Sequence, residues 1–353
     1  MIRLGVAGLG GMGVVHARNA HDVPGARLVA VASARAGLAD VMARELGVQA
    51  CTYAELLDAD DVDAVVLAAR SIDHARLAGE ALARGKHVFL EKPGATTLAD
   101  HERLRVAAAS RPELVVQLGY QRRFDAAFTE ARRLVADGAI GEPHLVLATS
   151  RDAEWPPGED PRETGGFLLD MSVHDYDIAC WFLEQEPIEA FAARQAVVHP
   201  QLAALGDLDN AIVTIRFGGG AVAATHVSRT CAFGHDIRCE VVGREGSVLV
   251  GWSTSGTVTV LSRGDRERFP QDFRERFGAA YRAELEAFVA ACSGDGPPGP
   301  GLDGDRHAVA IGVAARASAV GGEPLAVGTD WPWLLAPEKR GREAQAERTG
   351  QEA

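Results

Sequence analysis

The sequence predicts an α/β domain built on a doubly wound parallel sheet, followed by an α+β domain with a largely antiparallel, open-faced sheet. Three observations predict this fold class. A short apolar strand at residues 2–7 runs through a glycine-rich turn into a helix-like stretch. Strand and helix patterns then alternate as far as about residue 120. Beyond that point, most strand patterns follow one another without helices between them.

The chain has 353 residues, which is long enough for two hydrophobic cores. Its formal net charge of -13 argues against a nucleic-acid partner, because phosphate binding needs clustered Lys and Arg. No apolar run reaches the roughly 20 residues that span a bilayer, and no leader pattern precedes the first strand. The five cysteines lack metal-type or C-x-x-C spacing. We therefore expect reduced thiols, no bound metal or flavin, no membrane partner and a cytoplasmic location.

The first half of the chain alternates between the two patterns. After the strand at 2–7, further strands are expected at 27–32, 62–68, 87–90 and 114–118. Helices are expected between them, at 36–46, 53–58, 74–84 and 98–109. This alternation is typical of a parallel sheet with helices on both faces.

The second half predicts strands at 144–150, 188–198, 209–217, 220–228, 236–243, 246–251 and 256–262. Helices are expected at 125–137, 167–183, 277–292 and 304–319. Residues 294–301 are rich in Gly and Pro, so we expect a surface loop there. We predict a first domain over 1–121, a second domain over 122–335 and a disordered tail over 336–353.

The turn at residues 8–13 carries the strongest chemical signal. Gly8, Gly10 and Gly13 fit the G-x-G-x-x-G fingerprint, with Gly11 and Met12 between them. Such glycines allow a tight turn, close approach of a pyrophosphate and close packing of helix on strand. The phosphates then lie at the N-terminus of the following helix. The first domain is therefore predicted to be a Rossmann domain that binds NAD or NADP through these five residues.

The end of the second strand predicts which of the two dinucleotides is preferred. NAD enzymes usually present Asp or Glu to the ribose 2'-hydroxyl at this point. This chain has Ser33 and Arg35 instead, and the guanidinium suits a 2'-phosphate. We expect NADP to be preferred over NAD.

Spacing on the 167–183 helix brings acids and an imidazole together. Asp170, His174 and Asp177 are separated by four and three residues, which predicts that they share one helix face. His174 has a pKa range suited to accepting a proton from a hydroxyl. Asp170 is expected to orient the imidazole or to bind substrate.

Residues 85–93 form a strand that ends in Glu91-Lys92-Pro93. Together with the glycine turn, this segment resembles the Gfo/Idh/MocA family of oxidoreductases. The resemblance implies that Lys92 reaches both the nicotinamide ribose and a substrate hydroxyl, with Glu91 beside it at the cofactor. It also implies that Asp170 and His174, in their D-x-x-x-H spacing, are catalytic.

Segments 117–125, 206–211 and 228–236 resemble the inositol 2-dehydrogenases of that family, and the resemblance extends over about residues 1–330. It implies substrate contacts from Arg122, Asp152 and Phe233. The chain departs from the family at residues 69–74, where relatives usually have Thr-Pro, and at 153–155, where a proline-rich run is common. Phe233 also stands where inositol enzymes often have Tyr.

These observations predict an NAD(P)-dependent dehydrogenase that oxidises a ring secondary alcohol of a cyclitol or sugar to a ketone. Lys92 would stabilise the alkoxide, His174 would accept the proton, and Asp152 and Asp170 would hold the substrate. A dehydrogenase or ketoreductase for an amino sugar, sugar phosphate or nucleotide sugar remains an alternative. A non-catalytic dinucleotide sensor is a further alternative. The open sheet face predicts a homodimer or homotetramer.

Overall fold

The computed structural model describes residues 1–153, 160–251 and 269–329. Three sequence predictions lie outside these residues: the strand at 256–262, the departure at Glu154 and Trp155, and the tail at 336–353. The described residues form two sheets, each covered by helices, which confirms the predicted fold class.

The first sheet contains six described strands, all parallel, in the order β3-β2-β1-β4-β5-β6. They are β1 Ile2–Ala7, β2 Ala26–Ala32, β3 Gln49–Cys51, β4 Ala64–Leu67, β5 His87–Glu91 and β6 Val116–Gly119. This is the strand order of a Rossmann sheet, in which ligands bind at the carboxyl ends of β1 and β4. The sequence analysis did not predict β3, because three partly exposed residues give no periodic signal.

The helices of this domain are α1 Gly11–Asp22, α2 Leu38–Leu46, α3 Tyr53–Asp58, α4 His74–Ala83 and α5 Leu98–Ala109. Local chemistry fixes several of their starts. Thr52 and Glu55 form a reciprocal capping box at α3, and the Thr97 side chain accepts from the backbone N–H of Asp100 at α5.

The second sheet has the order β12-β11-β7-β10-β9-β8-β13. Its strands are β7 Pro143–Arg151, β8 Pro187–Gln195, β9 Asn210–Phe217, β10 Val222–Ser228, β11 Asp236–Gly243, β12 Ser247–Val250 and β13 Leu325–Ala326. In this described sheet β7 and β10 pair in parallel and the other neighbours pair antiparallel. The two-residue strand β13 was not predicted from the sequence.

The remaining helices are α6 Ala126–Ala136, α7 Pro161–Thr164, α8 Phe167–Asp170, α9 Val173–Leu183, α10 Gln201–Ala204, α11 Phe273–Ser293 and α12 Leu302–Gly321. Helices α9 and α12 pack on one face of the second sheet. The prediction of one continuous helix over 167–183 is wrong, because Met171 and Ser172 separate α8 from α9. The predicted loop at 294–301 is confirmed, since it contains neither helix nor strand.

Helix α11 belongs to the second half of the chain but packs on the first domain. Its residues Leu285, Phe288 and Val289 share a buried core with Leu4 and Phe89. The early part of α11 therefore stands beside the glycine turn, at the junction of the two sheets. The division of the chain at residues 121 and 122 stays a prediction. No helix within the described ranges is both long and apolar enough to cross a membrane.

Candidate active site

A cavity of about 300 Å³ lies where the carboxyl ends of the first sheet meet the second domain. It collects many of the residues that the sequence analysis singled out: Gly11, Met12, Glu91, Lys92, Arg122, Asp152, Asp170 and His174. The other predicted site residues are not part of its lining: Gly8, Gly10, Gly13, Ser33, Arg35 and Phe233. Gly8, Gly10 and Gly13 belong to the same turn as the lining residues Gly11 and Met12, and Phe233 lies two residues before the lining residue His235, whereas Ser33 and Arg35 follow the neighbouring strand β2.

The glycine turn between β1 and α1 has little room for side chains. Gly8 has a φ of +96°, and a Cβ there would lie 2.3 Å from the carbonyl oxygen of Ala68. A Cβ on Gly13 would lie 1.8 Å from the oxygen of Gly8. At Gly10, by contrast, the corresponding position has no described atom within 4 Å. Gly10 precedes α1 and offers no side-chain cap, so the backbone N–H groups of the first helical turn are suited to bind a pyrophosphate.

At the end of β2, Arg35 is exposed and Ser33 is partly buried. The Ser33 Oγ accepts a hydrogen bond of 3.1 Å from the backbone N–H of Arg35. This leaves the Ser33 hydroxyl proton and the Arg35 guanidinium available to an anionic group. The nearest following acid, Asp40, is exposed in the first turn of α2.

Glu91 ends β5 and is buried. Its Oε1 lies 2.6 Å from Nε2 of His16, and its Oε2 accepts from the backbone N–H of Lys92 at 3.1 Å. Burial raises the pKa of Glu91, but the hydrogen bond and charge of His16 and the charge of Lys92 outweigh it, so the pKa lies below its ordinary value. Glu91 lines the cavity, and its contact with the cofactor, which the family resemblance implies, stays a prediction.

Glu284 of α11 completes this buried cluster, since ligand atoms of His16, Glu91 and Glu284 all lie within 4.8 Å of one another. Neither carboxylate oxygen of Glu284 has a hydrogen-bond partner in the described residues. Burial and the negative charge of Glu91 raise the pKa of Glu284 well above its usual range. The expected absence of a bound metal is not tested by this geometry and stays a prediction.

Lys92 follows β5 and points to the second domain. Its Nζ lies 2.8 Å from the carbonyl oxygen of Asp170 and 3.0 Å from the Asp170 Oδ1. The Asp170 Oδ2 is also 3.8 Å from the guanidinium of Arg229. Burial raises the pKa of Asp170, but the charges of Lys92 and Arg229 outweigh burial and hold the pKa below its ordinary value. Asp170 is therefore an ionised acceptor.

His174 lies on the first turn of α9 and lines the cavity. Burial, together with the charges of Lys92 and Arg122, holds its pKa well below the usual histidine range. The imidazole is therefore neutral at neutral pH and able to accept a proton. The His174 Nδ1 is buried and has no hydrogen-bond partner among the described residues. Asp170 therefore does not orient the imidazole through this nitrogen.

Asp170, His174 and Asp177 do not share one helix face as predicted, because the break between α8 and α9 separates Asp170 from the other two. Asp177 is buried away from the cavity, where its carboxylate accepts two hydrogen bonds from Arg123, of 2.6 and 2.9 Å. Arg123 in turn lies 5.3 Å from the Trp181 ring. Asp177 is thus part of the packing between a 3-10 turn at Gln121–Phe124 and α9.

The predicted substrate residues have definite partners. Asp152 follows β7, and its Oδ1 lies 2.6 Å from Nδ1 of His235. Arg122 is buried and donates to Asp175 at 2.5 Å and to Ser150 at 2.9 Å. Phe233 is buried against Phe269, with ring centroids 4.8 Å apart. The contact of Phe233 with substrate stays a prediction.

The sequence analysis missed five polar residues that line the cavity: Gln121, Ser150, Arg229, His235 and Tyr281. Arg229 and His235 belong to the 228–236 segment that resembles the inositol enzymes, so their position in that segment was the available signal. Tyr281 lies on α11, where the helical pattern gave no sign that one face turns to a ligand.

Comparison with known proteins agrees with both halves of this architecture. Residues 2–120 match the family model described as an oxidoreductase family with an NAD-binding Rossmann fold. Residues 128–249 match the model of the GFO/IDH/MocA C-terminal domain.

Several relatives are similar over nearly their whole length. The scyllo-inositol 2-dehydrogenase (NAD(+)) of Bacillus subtilis is 36% identical over 92% of this chain and 96% of its own. The myo-inositol 2-dehydrogenase of Thermotoga maritima is 34% identical over 90% and 96%. The solved structure of scyllo-inositol dehydrogenase from Lactobacillus casei, with bound NAD(H) and scyllo-inositol, is 26% identical and superimposes with a TM-score of 0.84, covering 93% of this chain and 100% of that one.

Proposed function

The chain belongs to the GFO/IDH/MocA family of NAD(P)-dependent oxidoreductases, and we propose that it oxidises a ring secondary alcohol of a cyclitol, myo-inositol-like, to the ketone. One observation carries the proposal: Lys92, Asp170 and His174 come from two domains into one cavity beside the glycine turn. The names of the relatives, which act on scyllo- and myo-inositol, support the substrate class.

Each of the three residues has one task in this proposal. His174, kept neutral by burial and by neighbouring positive charge, accepts the proton of the hydroxyl that is oxidised. Lys92 stabilises the negative charge that develops on that oxygen. Asp170 holds the Lys92 ammonium in place and accepts a hydrogen bond from a substrate hydroxyl. The nicotinamide ring supplies the hydride acceptor when the dinucleotide is bound.

Preference for NADP(H) over NAD(H) is part of the proposal. It is supported by the exposed Arg35, by the free hydroxyl proton of Ser33 and by the absence of an acid at either position. In this strongly acidic chain, a guanidinium at the ribose would attract a 2'-phosphate locally.

We also propose a homodimer or homotetramer that associates through the open face of the second sheet. Leu147 of β7, Ile212 of β9 and Leu249 of β12 are 40%, 54% and 46% exposed. Cross-strand register places all three on the same face, opposite α9 and α12. A cytoplasmic location, where the five unpaired cysteines stay reduced, belongs to the same proposal.

The proposal is tested by a panel of cyclitols, aldoses and aldonic lactones, each assayed with both nicotinamide cofactors for absorbance of the reduced form. We expect myo-inositol or scyllo-inositol to give kcat/KM at least about tenfold above the aldoses and lactones. Turnover confined to an aldose or a lactone would assign a different substrate class to the same site.

A further inference from the structure

A second acid–imidazole pair lines the cavity, formed by Asp152 and His235. The paired strands β7 and β11 fix its position, because Arg151 and Asp236 are register partners and the pair lies one residue beyond each. The backbone of Asp152 is held by Ser228 and Cys231, through hydrogen bonds of 2.8 and 3.0 Å. The pair therefore stands at the hydrogen-bonded end of the sheet.

The two nitrogens of His235 are in different situations. Nδ1 lies 2.6 Å from the Asp152 carboxylate, which can only accept, so Nδ1 carries the proton and donates. In the neutral imidazole, Nε2 then has a lone pair. This Nε2 is buried and has no hydrogen-bond partner in the part of the chain that the structure describes. A buried acceptor left unpaired costs free energy, so a ligand hydroxyl that pairs with it gains affinity.

The charges around the cavity favour a neutral ligand with many hydroxyl groups. Lys92 is paired with Asp170, and Arg122 with Asp175. Glu91 is bonded to His16, and Asp152 to His235. Because each of these charged side chains already has a hydrogen-bonded partner, the wall offers hydrogen-bonding groups to a neutral ligand rather than an unpaired charge to an ionic one.

We propose that the Asp152–His235 pair binds a substrate hydroxyl other than the one that is oxidised. Asp152 fixes the imidazole with its proton on Nδ1, and Nε2 accepts a hydrogen bond from that second hydroxyl. His174 and Lys92 act at the reacting carbon, whereas His235 selects ring position and stereochemistry. The inference rests on the proposed function and names an added determinant of specificity within it.

Two substitutions distinguish this role from a purely structural one. His235→Asn keeps an amide group near the Nδ1 position and can still bond Asp152, but it does not reach the Nε2 position. His235→Gln places an amide near the Nε2 position and so keeps a group able to pair with the substrate. We expect His235→Asn to raise KM for myo-inositol or scyllo-inositol about tenfold with kcat changed less than about threefold, and His235→Gln to restore most of that loss.

His21→Asn is the matched control, because His21 also has an Nδ1 contact with a carboxylate, Asp22 at 2.8 Å, but is exposed and outside the cavity lining. It should leave both constants unchanged. The opposite ranking, with His235→Asn benign and His235→Gln impaired, would show that His235 only supports Asp152 and would overturn the inference.

Deoxyfluoro-myo-inositols give a second measurement, because fluorine replaces a hydroxyl but cannot donate a hydrogen bond. At one ring position the fluoro compound should lose about tenfold in kcat/KM with the wild-type enzyme and almost nothing further with His235→Asn. Equal losses in both enzymes at every position would overturn the inference.

Nitrogen-detected NMR of the imidazoles gives a readout that does not depend on turnover. In the enzyme with reduced cofactor, scyllo-inositol should shift the Nε2 resonance of His235 while Nδ1 stays protonated. Turnover of cyclitols without this shift overturns the role of His235 alone. Absence of both cyclitol turnover and cyclitol binding overturns the proposed function and the inference together.

Discussion

Lys92 Nζ donates to both the carbonyl oxygen and the carboxylate of Asp170, at 2.8 and 3.0 Å, and so joins the end of β5 to the end of α8. One residue belongs to the first sheet and the other to the second domain. The contact thus fixes an ammonium group at the junction where dinucleotide and substrate would meet.

Replacing Lys92 with Met removes the charge but keeps most of the side-chain volume. We expect kcat/KM to fall by about 10²- to 10³-fold, the loss typical of a removed oxyanion donor. The dinucleotide dissociation constant should rise as well, since the family resemblance implies that the Lys92 side chain also reaches the nicotinamide ribose. Steady-state kinetics and cofactor fluorescence titration measure the two effects. Arg103→Met, an exposed change on α5, is the control, and a Lys92→Met enzyme with wild-type constants would make Lys92 a structural residue.

His174→Ala should lower kcat by a factor on the order of 10² or more, with dinucleotide binding retained, because general-base catalysis contributes about that much. The pKa of His174 is lowered, so the neutral, proton-accepting form persists to lower pH. The acidic limb of kcat/KM in the wild type should therefore have its midpoint below about 6.5, and the variant should lack that limb. Normal turnover by His174→Ala on the best substrate would remove the histidine from the mechanism.

The sequence singles out the glycine turn, Lys92, Asp170 and His174 because each is part of a local pattern. Gly13 is needed by a close backbone contact with Gly8 within the β1–α1 unit, and Gly8 by its positive φ and by the close approach of Ala68 after β4. Hydrogen-bonded pairs whose members are far apart in the sequence gave no such signal. Asp177 and Arg123 are 54 residues apart, and Asp152 and His235 are 83 apart. Spacing alone therefore placed Asp177 on the catalytic face and left His235 unassigned.

The interruption at Met171 and Ser172 shows the same limit. The apolar residues of 167–183 continue through it, so the pattern predicts one helix. Gly165 and Gly166, both with positive φ, set the start of α8, and Ser172 sets the start of α9. The tertiary contacts of these residues, including the bond from the backbone N–H of Phe167 to Asp207, decide the chain path. Such contacts override local propensity.

Glu284→Gln should stabilise the protein at neutral and alkaline pH. The pKa of Glu284 is raised in the folded state, so its carboxyl costs folding free energy as pH rises above the unfolded value of about 4.3. Glutamine has nearly the same shape and no ionisation. We expect the free energy of unfolding at pH 8 to rise by about 1–3 kcal/mol, with little change near pH 4. Denaturant unfolding at both pH values measures it.

Glu286→Gln is the matched control for Glu284→Gln, since Glu286 is only partly buried, lies two residues further along α11 and pairs with Arg282. It should change stability by less than about 0.5 kcal/mol at either pH. A Glu284→Gln protein that is less stable than the wild type at pH 8 would mean that the carboxylate is ionised and bound in the folded protein.

Leu147→Arg should dissociate the proposed oligomer, because it places a charge at the centre of the exposed apolar face of the second sheet. Light scattering should give a multiple of the monomer mass for the wild type and the monomer mass for the variant. Val106→Arg, at a more exposed apolar position on α5 of the first domain, should leave the mass unchanged. A wild type that is monomeric at working concentration would end the proposal of association through this face.

The last prediction is that the wild type has a higher kcat/KM with NADP(H) than with NAD(H). A carboxylate at the end of β2 normally accepts the ribose hydroxyls and repels a 2'-phosphate. This chain has Ser33, whose Oγ is turned toward the backbone of Arg35, and an exposed guanidinium beside it. Ser33→Asp should shift the preference toward NAD(H) by about tenfold or more, and Arg35→Ala should weaken NADP(H) selectively. One relative is named with NAD(+) and one solved structure contains NAD(H). A preference of this chain for NAD(H) would therefore match those relatives and contradict the prediction. A wild type that prefers NAD(H), with neither substitution changing the ratio, would place the adenosine ribose away from Ser33 and Arg35.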